Sequence, residues 1–157
     1  MGSLGVKWIE IISEDCLMIR QLEPSDCQGI QELLDELGYP CQLKEMEERL
    51  NHILTDAEFH SFVYLTGKQV SGFICGHKFY YFPTVRVDLR VQALVDTSQF
   101  RKRGIGKALL THIEKVAQKL GCGKVELTCN KSRLETLQFY RKQFFEEPGV
   151  KFEKKCD

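Results

Sequence analysis

The segment from Val91 to Leu110 constrains the fold more than any other part of the chain. It has the pattern of an apolar strand, then a basic turn with glycines, then an amphipathic helix. Such a turn exposes backbone N–H groups at a helix N-terminus, where a phosphate or pyrophosphate binds readily. Gly104 and Gly106 carry no Cβ, so the main chain can approach a ligand closely there. Positive charge around the turn comes from Arg101, Lys102, Arg103 and Lys107.

Two common nucleotide-binding patterns do not match this turn. The Walker pattern requires four residues between its glycines and then Lys-Ser or Lys-Thr, which the turn lacks. The dinucleotide fingerprint requires three glycines and a later acidic residue, whereas the segment from Arg103 to Leu109 contains two glycines. Taken alone, the turn also fits an ordinary helix N-terminus whose glycines serve packing and whose basic side chains serve solubility.

Hydrophobic periodicity predicts alternating strands and helices along the rest of the chain. Strands are predicted at 16–22, 61–65, 70–79, 85–95, 124–129 and 150–154. Helices are predicted from Pro24 to the stop at Gly38, at 43–54, from the basic turn to a cap at Gly121, and at 133–143. The order β-α-α-β-β-β-α-β-α-β indicates a mixed α/β sheet with one strand–loop–helix crossover.

The strand predicted at 85–95 alternates strongly between apolar and polar residues. Because successive side chains of a strand point to opposite faces, all its apolar residues are expected on one face. These are Val87, Leu89, Val91, Ala93 and Val95, with Arg86, Asp88, Arg90 and Gln92 on the other face.

The composition indicates one soluble globular domain, which we expect to span residues 1–157. Hydrophobic residues make up 43% of the chain, an ordinary value for this class. The 22 basic side chains balance the 22 acidic ones, and nucleic-acid binders are usually basic, so we expect no nucleic-acid partner. No segment reaches the length of a membrane span, and the N-terminus lacks a signal-peptide core. We therefore expect no membrane partner and a cytoplasmic location.

The seven cysteines are expected to be free thiols rather than a disulfide framework or a metal site. Their number is odd, and neither Cys-x-x-Cys nor a His pair at ligand spacing occurs. Buried thiols in a reducing compartment fit this pattern better. We therefore predict no metal. The cysteines are scattered over positions 16, 27, 41, 75, 122, 129 and 156.

The C-terminal half resembles the GCN5-related N-acetyltransferase (GNAT) family. The run Arg101-Lys-Arg-Gly104-Ile-Gly106 fits that family's acetyl-CoA signature, Arg/Gln-x-x-Gly-x-Gly/Ala. The strand before it, the helix after it, the turn and strand at 121–128, Phe139-Tyr140 and the segment 145–152 follow in the family's order. The resemblance covers 94–154, and the N-terminal half matches only in pattern. It implies an α/β protein with the GNAT acyl-CoA N-acyltransferase fold, a mixed, mostly antiparallel central sheet flanked by helices.

The resemblance implies that acetyl-CoA is the co-substrate and assigns its contacts. The pyrophosphate is expected on the basic turn, at Arg101, Lys102, Arg103, Gly104, Ile105, Gly106 and Lys107. The pantetheine arm and the thioester carbonyl are expected on the main chain at Leu94, Val95 and Asp96. Relatives usually carry an apolar residue where this chain has Asp96. Asn130 and Arg133, at the start of the next helix, are further expected cofactor contacts.

The same resemblance assigns catalytic roles. Tyr140 matches the family's tyrosine near the thiol sulfur, and a phenol can donate a proton to a leaving thiolate. Packing within its helix is the alternative role for Tyr140. Many relatives place a glutamate base where this chain has Gln92, so the base is open among Asp96, His77, Asp88 and a water relay. Relatives also have glycine where this chain has Phe144, which implies a different helix exit, or strain.

The expected activity is transfer of an acetyl group from acetyl-CoA to the primary amine of a small molecule. The region 37–56 forms one wall of the acceptor cleft in the family, and acidic side chains there would favour a cationic amine. Two solvated helix faces are the alternative. A non-catalytic CoA-binding domain and a protein or peptide N-acetyltransferase remain open, as does a homodimer. The acidic residues are Asp35, Glu36, Glu45, Glu47, Glu48 and Asp56.

Overall fold

A five-stranded sheet forms the centre of the computed structural model, which describes residues 17–100 and 102–156. The strands follow the order β1-β2-β3-β4-β5. The first four pair antiparallel, and β4 and β5 pair parallel. The prediction of a mixed, mostly antiparallel sheet is therefore confirmed. The strands are β1 (Leu17–Gln21), β2 (Phe59–Thr66), β3 (Gln69–Tyr81), β4 (Arg86–Asp96) and β5 (Val125–Leu127).

The helices cover both faces of this sheet. Helices α1 (Cys27–Glu36) and α2 (Leu43–Thr55) bury one apolar face each against the sheet, through residues such as Ile30 and Met46. Helices α3 (Ile105–Lys119) and α4 (Leu134–Lys142) lie on the opposite face, where α3 buries residues such as Leu109. No helix within the described ranges is long and apolar enough to span a bilayer.

Three helices end in the same hydrogen-bonded cap, with a left-handed residue just after the helix. The cap residues are Gly38 after α1 (φ 91°), Gly121 after α3 (φ 73°) and Phe144 after α4 (φ 65°). In each, the N–H of the next residue bonds a carbonyl five residues back, as in Cys122 to Ala117. The predicted cap at Gly121 is confirmed, and the conformation that favours glycine is occupied by a phenylalanine after α4.

The expectation of one apolar face along β4 is wrong, because a β-bulge interrupts the strand. Cys75 pairs with Ala93 and the adjacent Gly76 pairs with Val91, which leaves Gln92 without an opposite residue. The extra residue reverses the alternation, so Leu89 and Val91 face α3 while Ala93 and Val95 face α1 and α2. Gly76 fits this place, because a Cβ on it would lie 2.7 Å from Leu89 Cδ2.

The C-terminal strands also differ from the prediction. The segment 150–154 was predicted as a closing strand but is neither helical nor strand-like, and Phe152 is 90% exposed. Alternation of apolar and charged residues is compatible with a strand, but a strand also needs a neighbouring strand to pair with. The described residues place no such strand beside 150–154. The strand predicted at 124–129 contracts to Val125–Leu127 and is half-buried.

Candidate functional site

The basic turn opens α3 in a conformation suited to an anion. Lys102 (φ 66°) and Gly104 (φ 80°) both have left-handed backbone conformations. Gly104 is the N-cap of α3 and has no side chain to accept a hydrogen bond from the first helical turn. The N–H groups of the first helical turn have no intrahelical acceptor, so they remain available to a ligand. The side chains of Arg103 and Lys107 are exposed beside this turn. Arg101 lies outside the described residues.

Gly106 lies at the closest approach of three elements. A Cβ on Gly106 would lie 3.3 Å from Phe139 Cζ and 3.9 Å from Asp96 Oδ2. The first turn of α3, the end of β4 and helix α4 therefore converge at this residue. Ile105, also predicted as a cofactor contact, is buried, so only its backbone can serve a ligand.

Pairing with β5 covers only Leu89 to Val91 of β4, and the described residues place no strand beside 92–96 on that side. Leu94 joins the apolar cluster under α3 and α4, whereas Val95 is buried against α1 and α2. The predicted pantetheine-binding positions therefore lie beyond the end of the β4–β5 pairing, and Leu94 among them packs toward α3 and α4.

Tyr140 lies half-buried on α4 in the same apolar cluster as Leu94. Its ring packs against Phe139 and Phe145, with centroid distances of 5.3 Å and 5.8 Å. Burial raises the pKa of its phenol above the usual value, and Cys129 adds to the increase while Arg133 opposes it. Tyr140 therefore keeps its proton at neutral pH, as a proton donor must.

The two predicted contacts before α4 have different surroundings. Asn130 Oδ1 accepts hydrogen bonds from Ser132 N (2.9 Å) and Ser132 Oγ (2.8 Å), so its side chain stabilises the turn that leads into α4. Arg133 is the N-cap residue of α4, and its side chain is exposed. Arg133 is thus available to a phosphate, while Asn130 serves the local fold.

An open cleft of about 690 Å³ lies on the opposite face of the sheet, between α2 and the strands. Glu45 and Glu48 of α2 line it, as do Phe59 and Gln92, together with Arg49, His52 and Ile53. Glu47 lines a different, smaller cavity between α1 and α2. The predicted acidic wall therefore contracts to two glutamates, which line the same cleft as Gln92 at the bulge.

Two base candidates differ in position. His77 pairs across the sheet with Phe59, and the ring centroids lie 4.6 Å apart, so the imidazole lies beside a residue that lines the cleft. Asp88 is fully buried and accepts two hydrogen bonds from Arg86, at 2.8 Å and 3.2 Å. A fully buried carboxylate whose oxygens both accept hydrogen bonds from Arg86 is poorly placed to reach a substrate. Asp96, the third candidate, lies near α3 instead.

Some neighbours of this site carry no signal in the sequence. Phe139 at Gly106 and Cys129 near Tyr140 become adjacent only through the fold. The bulge does leave a trace, because Gly76 ends the apolar run Phe73-Ile74-Cys75 opposite it. Among the described residues, no group of three or more His, Cys, Asp or Glu side chains could hold a metal ion.

The sequence matches the model of the acetyltransferase (GNAT) family over residues 27–144. The chain belongs to this family. GNAT proteins are acetyltransferases that generally use acetyl-CoA as co-substrate, and the glycine turn, β4 and α4 all fall inside the matched range. No curated protein sequence matches the chain.

Solved GNAT structures share the fold. A GNAT family acetyltransferase from Staphylococcus aureus has a TM-score of 0.78 at 22% identity, covering 89% of this chain and 98% of its own. Glucosamine-6-phosphate N-acetyltransferase from Arabidopsis thaliana has a TM-score of 0.76 at 23% identity, covering 90% and 99%. An aminoglycoside acetyltransferase from an uncultured soil metagenomic sample has a TM-score of 0.74 at 22% identity, covering 90% and 97%. Identities this low establish the fold and leave the substrate open.

Proposed function

We propose that this protein is an acetyl-CoA-dependent N-acetyltransferase that acetylates the primary amine of a small molecule. The observation that carries the proposal is the convergence at Gly106. The first turn of α3, the end of β4 beyond its pairing with β5 and the α4 helix that carries Tyr140 come together around this glycine. These groups fit the pyrophosphate, the pantetheine arm and the thioester of acetyl-CoA.

The proposed reaction uses both faces of β4. Acetyl-CoA supplies an activated acetyl group, held by the backbone of 94–96 and by the turn at 103–107. The amine nitrogen, arriving from the cleft beside Gln92, forms the new C–N bond as the C–S bond breaks. Tyr140 donates its phenolic proton to the leaving thiolate. The proton lost by the amine passes to a base or to water, and the Tyr140 phenolate regains a proton from the same source, which closes the cycle.

A small acceptor is supported by the cleft. Its volume of about 690 Å³ is in the range of small-molecule sites, and Glu45 and Glu48 provide negative charge for a cationic amine. Structural relatives include acetyltransferases named for glucosamine-6-phosphate and for aminoglycosides. Polyamines, amino sugars and aminoglycosides are therefore the acceptor classes to test first.

Calorimetric titration with CoA tests the cofactor site. Gly106→Val adds a branched side chain toward Phe139 and Asp96, and we expect at least about 10-fold weaker binding because that side chain enters the proposed path of the cofactor. Gly149→Val is the matched control, since its Cβ would meet nothing within 4 Å and its φ is not left-handed. Equal CoA affinity in Gly106→Val and the parent would refute the assigned site.

Gly104 is a less specific place for this test. A Cβ there would meet nothing within 4 Å, but the φ of 80° makes any larger residue strain the turn. Weak CoA binding by Gly104→Val could therefore result from a distorted turn as well as from a side chain that blocks the ligand.

Thiol release from acetyl-CoA then tests catalysis, with polyamines, amino sugars, aminoglycosides and lysine peptides as acceptors. Turnover with a small amine would support the proposal. Turnover only with peptides would indicate a protein acetyltransferase. CoA binding without turnover on any amine would indicate a non-catalytic CoA-binding domain.

A further inference from the structure

The last residue of α1 contacts the segment that leads into the basic turn. Glu36 Oε2 accepts a hydrogen bond from the backbone N–H of Ser98 (2.9 Å), and Glu36 Oε1 accepts one from Thr97 Oγ1 (3.2 Å). These residues are separated by about sixty positions in the chain, so the contact forms only when α1 has docked on the sheet. It joins the C-terminus of α1 to the start of the cofactor loop.

Hydrogen bonds continue from this contact toward the anion site. Thr97 is buried, and its N–H bonds Ser71 O of β3 (3.0 Å). Phe100 N donates to Thr97 O (3.2 Å), and Arg103 N donates to Phe100 O (3.3 Å). Arg103 also stacks its guanidinium over the Phe100 ring, at 5.2 Å from the centroid. Hydrogen bonds therefore connect Glu36 through Thr97 and Phe100 to Arg103, the residue before the N-cap of α3.

Two electrostatic effects oppose a glutamate at this place. The C-terminus of a helix carries partial negative charge, so a carboxylate at the end of α1 is unfavourable there. A second negative charge near a pyrophosphate site would also weaken binding of that anion. The directed hydrogen bonds to Thr97 and Ser98 compensate for both effects by fixing the loop.

We propose that Glu36 is a positioning residue for the cofactor loop: by holding Thr97 and Ser98, and through them Phe100 and Arg103, it aims the N–H groups opening α3 at the CoA pyrophosphate. This inference rests on the proposed function, since it presupposes that CoA binds at that turn. Glu36 does not touch the reacting atoms. Its effect passes through Thr97 and Ser98 to the loop.

The direction in which Glu36→Ala changes CoA affinity distinguishes a positioning role from an effect of charge alone. Glu36→Ala should weaken CoA binding about 10-fold or more by calorimetry, because the loop loses a charge-assisted anchor and binding must then order it. Removal of a nearby negative charge alone would strengthen CoA binding. Kinetically, the KM for acetyl-CoA should rise while kcat at saturating acetyl-CoA changes little.

Two further variants serve as controls, one with the same substitution at another glutamate of α1 and one with a conservative substitution at Glu36. Glu32→Ala removes an exposed glutamate one turn earlier on α1, whose side chain bonds Gln28 (3.2 Å), and should leave CoA affinity unchanged. Glu36→Gln keeps one oxygen acceptor without the charge, and should bind CoA within about threefold of the parent. Rescue by Gln would identify hydrogen bonding as the cause.

Thr97→Val tests the same contact from its other side, because it removes the hydroxyl that bonds Glu36 while keeping the side-chain shape. If the loop is positioned through this pair, the double variant with Glu36→Ala should bind CoA little worse than Glu36→Ala alone. Faster hydrogen exchange at 97–103 in Glu36→Ala, with melting temperature near that of the parent, is expected as well.

The possible failures are distinguishable. CoA affinity in Glu36→Ala equal to or above that of the parent would overturn this inference and leave the proposed function intact. A fall in melting temperature with unchanged CoA affinity of the folded protein would also overturn it, by showing a purely structural role. No CoA binding by the parent protein would overturn the proposed function and this inference together.

Discussion

Phe144 occupies a backbone conformation that glycine adopts more easily, and its replacement by glycine should stabilise the protein. The three helix caps provide the comparison within one chain, because Gly38 and Gly121 fill the equivalent position after α1 and α3. After α4, Phe145 N bonds Tyr140 O at 3.1 Å and the two rings pack together, which completes the cap. Only the residue type at the left-handed position differs.

The expected gain follows from the geometry of Phe144. A left-handed conformation costs a residue with a Cβ about 1–2 kcal/mol. Glycine recovers this cost but gives up roughly 0.5–1 kcal/mol of chain entropy on folding. The Phe144 side chain is 94% exposed, so its removal sacrifices little packing. The net change for Phe144→Gly is about 0.5–1 kcal/mol in favour of the fold, or about 1–4 °C in melting temperature for a chain of this size.

Thermal and urea unfolding of Phe144→Gly, Phe144→Ala and Gly121→Ala tests this reasoning. Phe144→Ala removes the exposed ring but keeps the Cβ, and so should gain clearly less than Phe144→Gly. Gly121→Ala should lose about 1 kcal/mol from conformation alone, since its Cβ would meet nothing within 4 Å. A Phe144→Gly variant no more stable than Phe144→Ala would show that strain at this cap is negligible.

Two further predictions concern the chemistry. Tyr140→Phe keeps the ring but removes the proton donor, so kcat by thiol release should fall about 10- to 1000-fold with CoA affinity unchanged; a variant as fast as the parent would make Tyr140 a packing residue. An acid works below its pKa, and burial raises that of Tyr140, so no loss of rate from this group is expected below about pH 10. If no side chain is the base, the rate should climb toward the amine's own pKa, and His77→Gln and Asp96→Asn should both keep that profile. If only one of these variants loses activity tenfold, and its pH–rate profile no longer falls at low pH, the replaced residue is the base.

Local patterns in the sequence predict most of the helices and the strands between them. Apolar spacing in α1, α2 and α3 and the glycine at 121 are short-range signals, since each depends on residues within one or two turns. The basic turn before α3 is local in the same sense. For these elements the residues that decide the structure lie next to one another in the chain.

Local sequence patterns do not predict features that depend on pairing between distant segments. The bulge at Gln92 arises from the register between β3 and β4, so alternation along β4 alone predicts the wrong face for Ala93 and Val95. The segment 150–154 alternates like a strand, yet alternation does not reveal whether an edge is available to pair with it. Glu36 and Thr97 likewise become neighbours only when α1 docks on the sheet.

The bulge connects the fold to the proposed chemistry. Before it, β4 packs Leu89 and Val91 against α3, and after it Val95 packs against α1 and α2, so the strand changes the face that it buries within a few residues. Gln92, at the change, lines the cleft on the α2 side, while the residues that follow lie beyond the pairing with β5. In the proposed function, an amine in the cleft and a thioester along 94–96 would therefore meet at one point of one strand. The backbone at the bulge would then bring the two substrates together without a glutamate at Gln92.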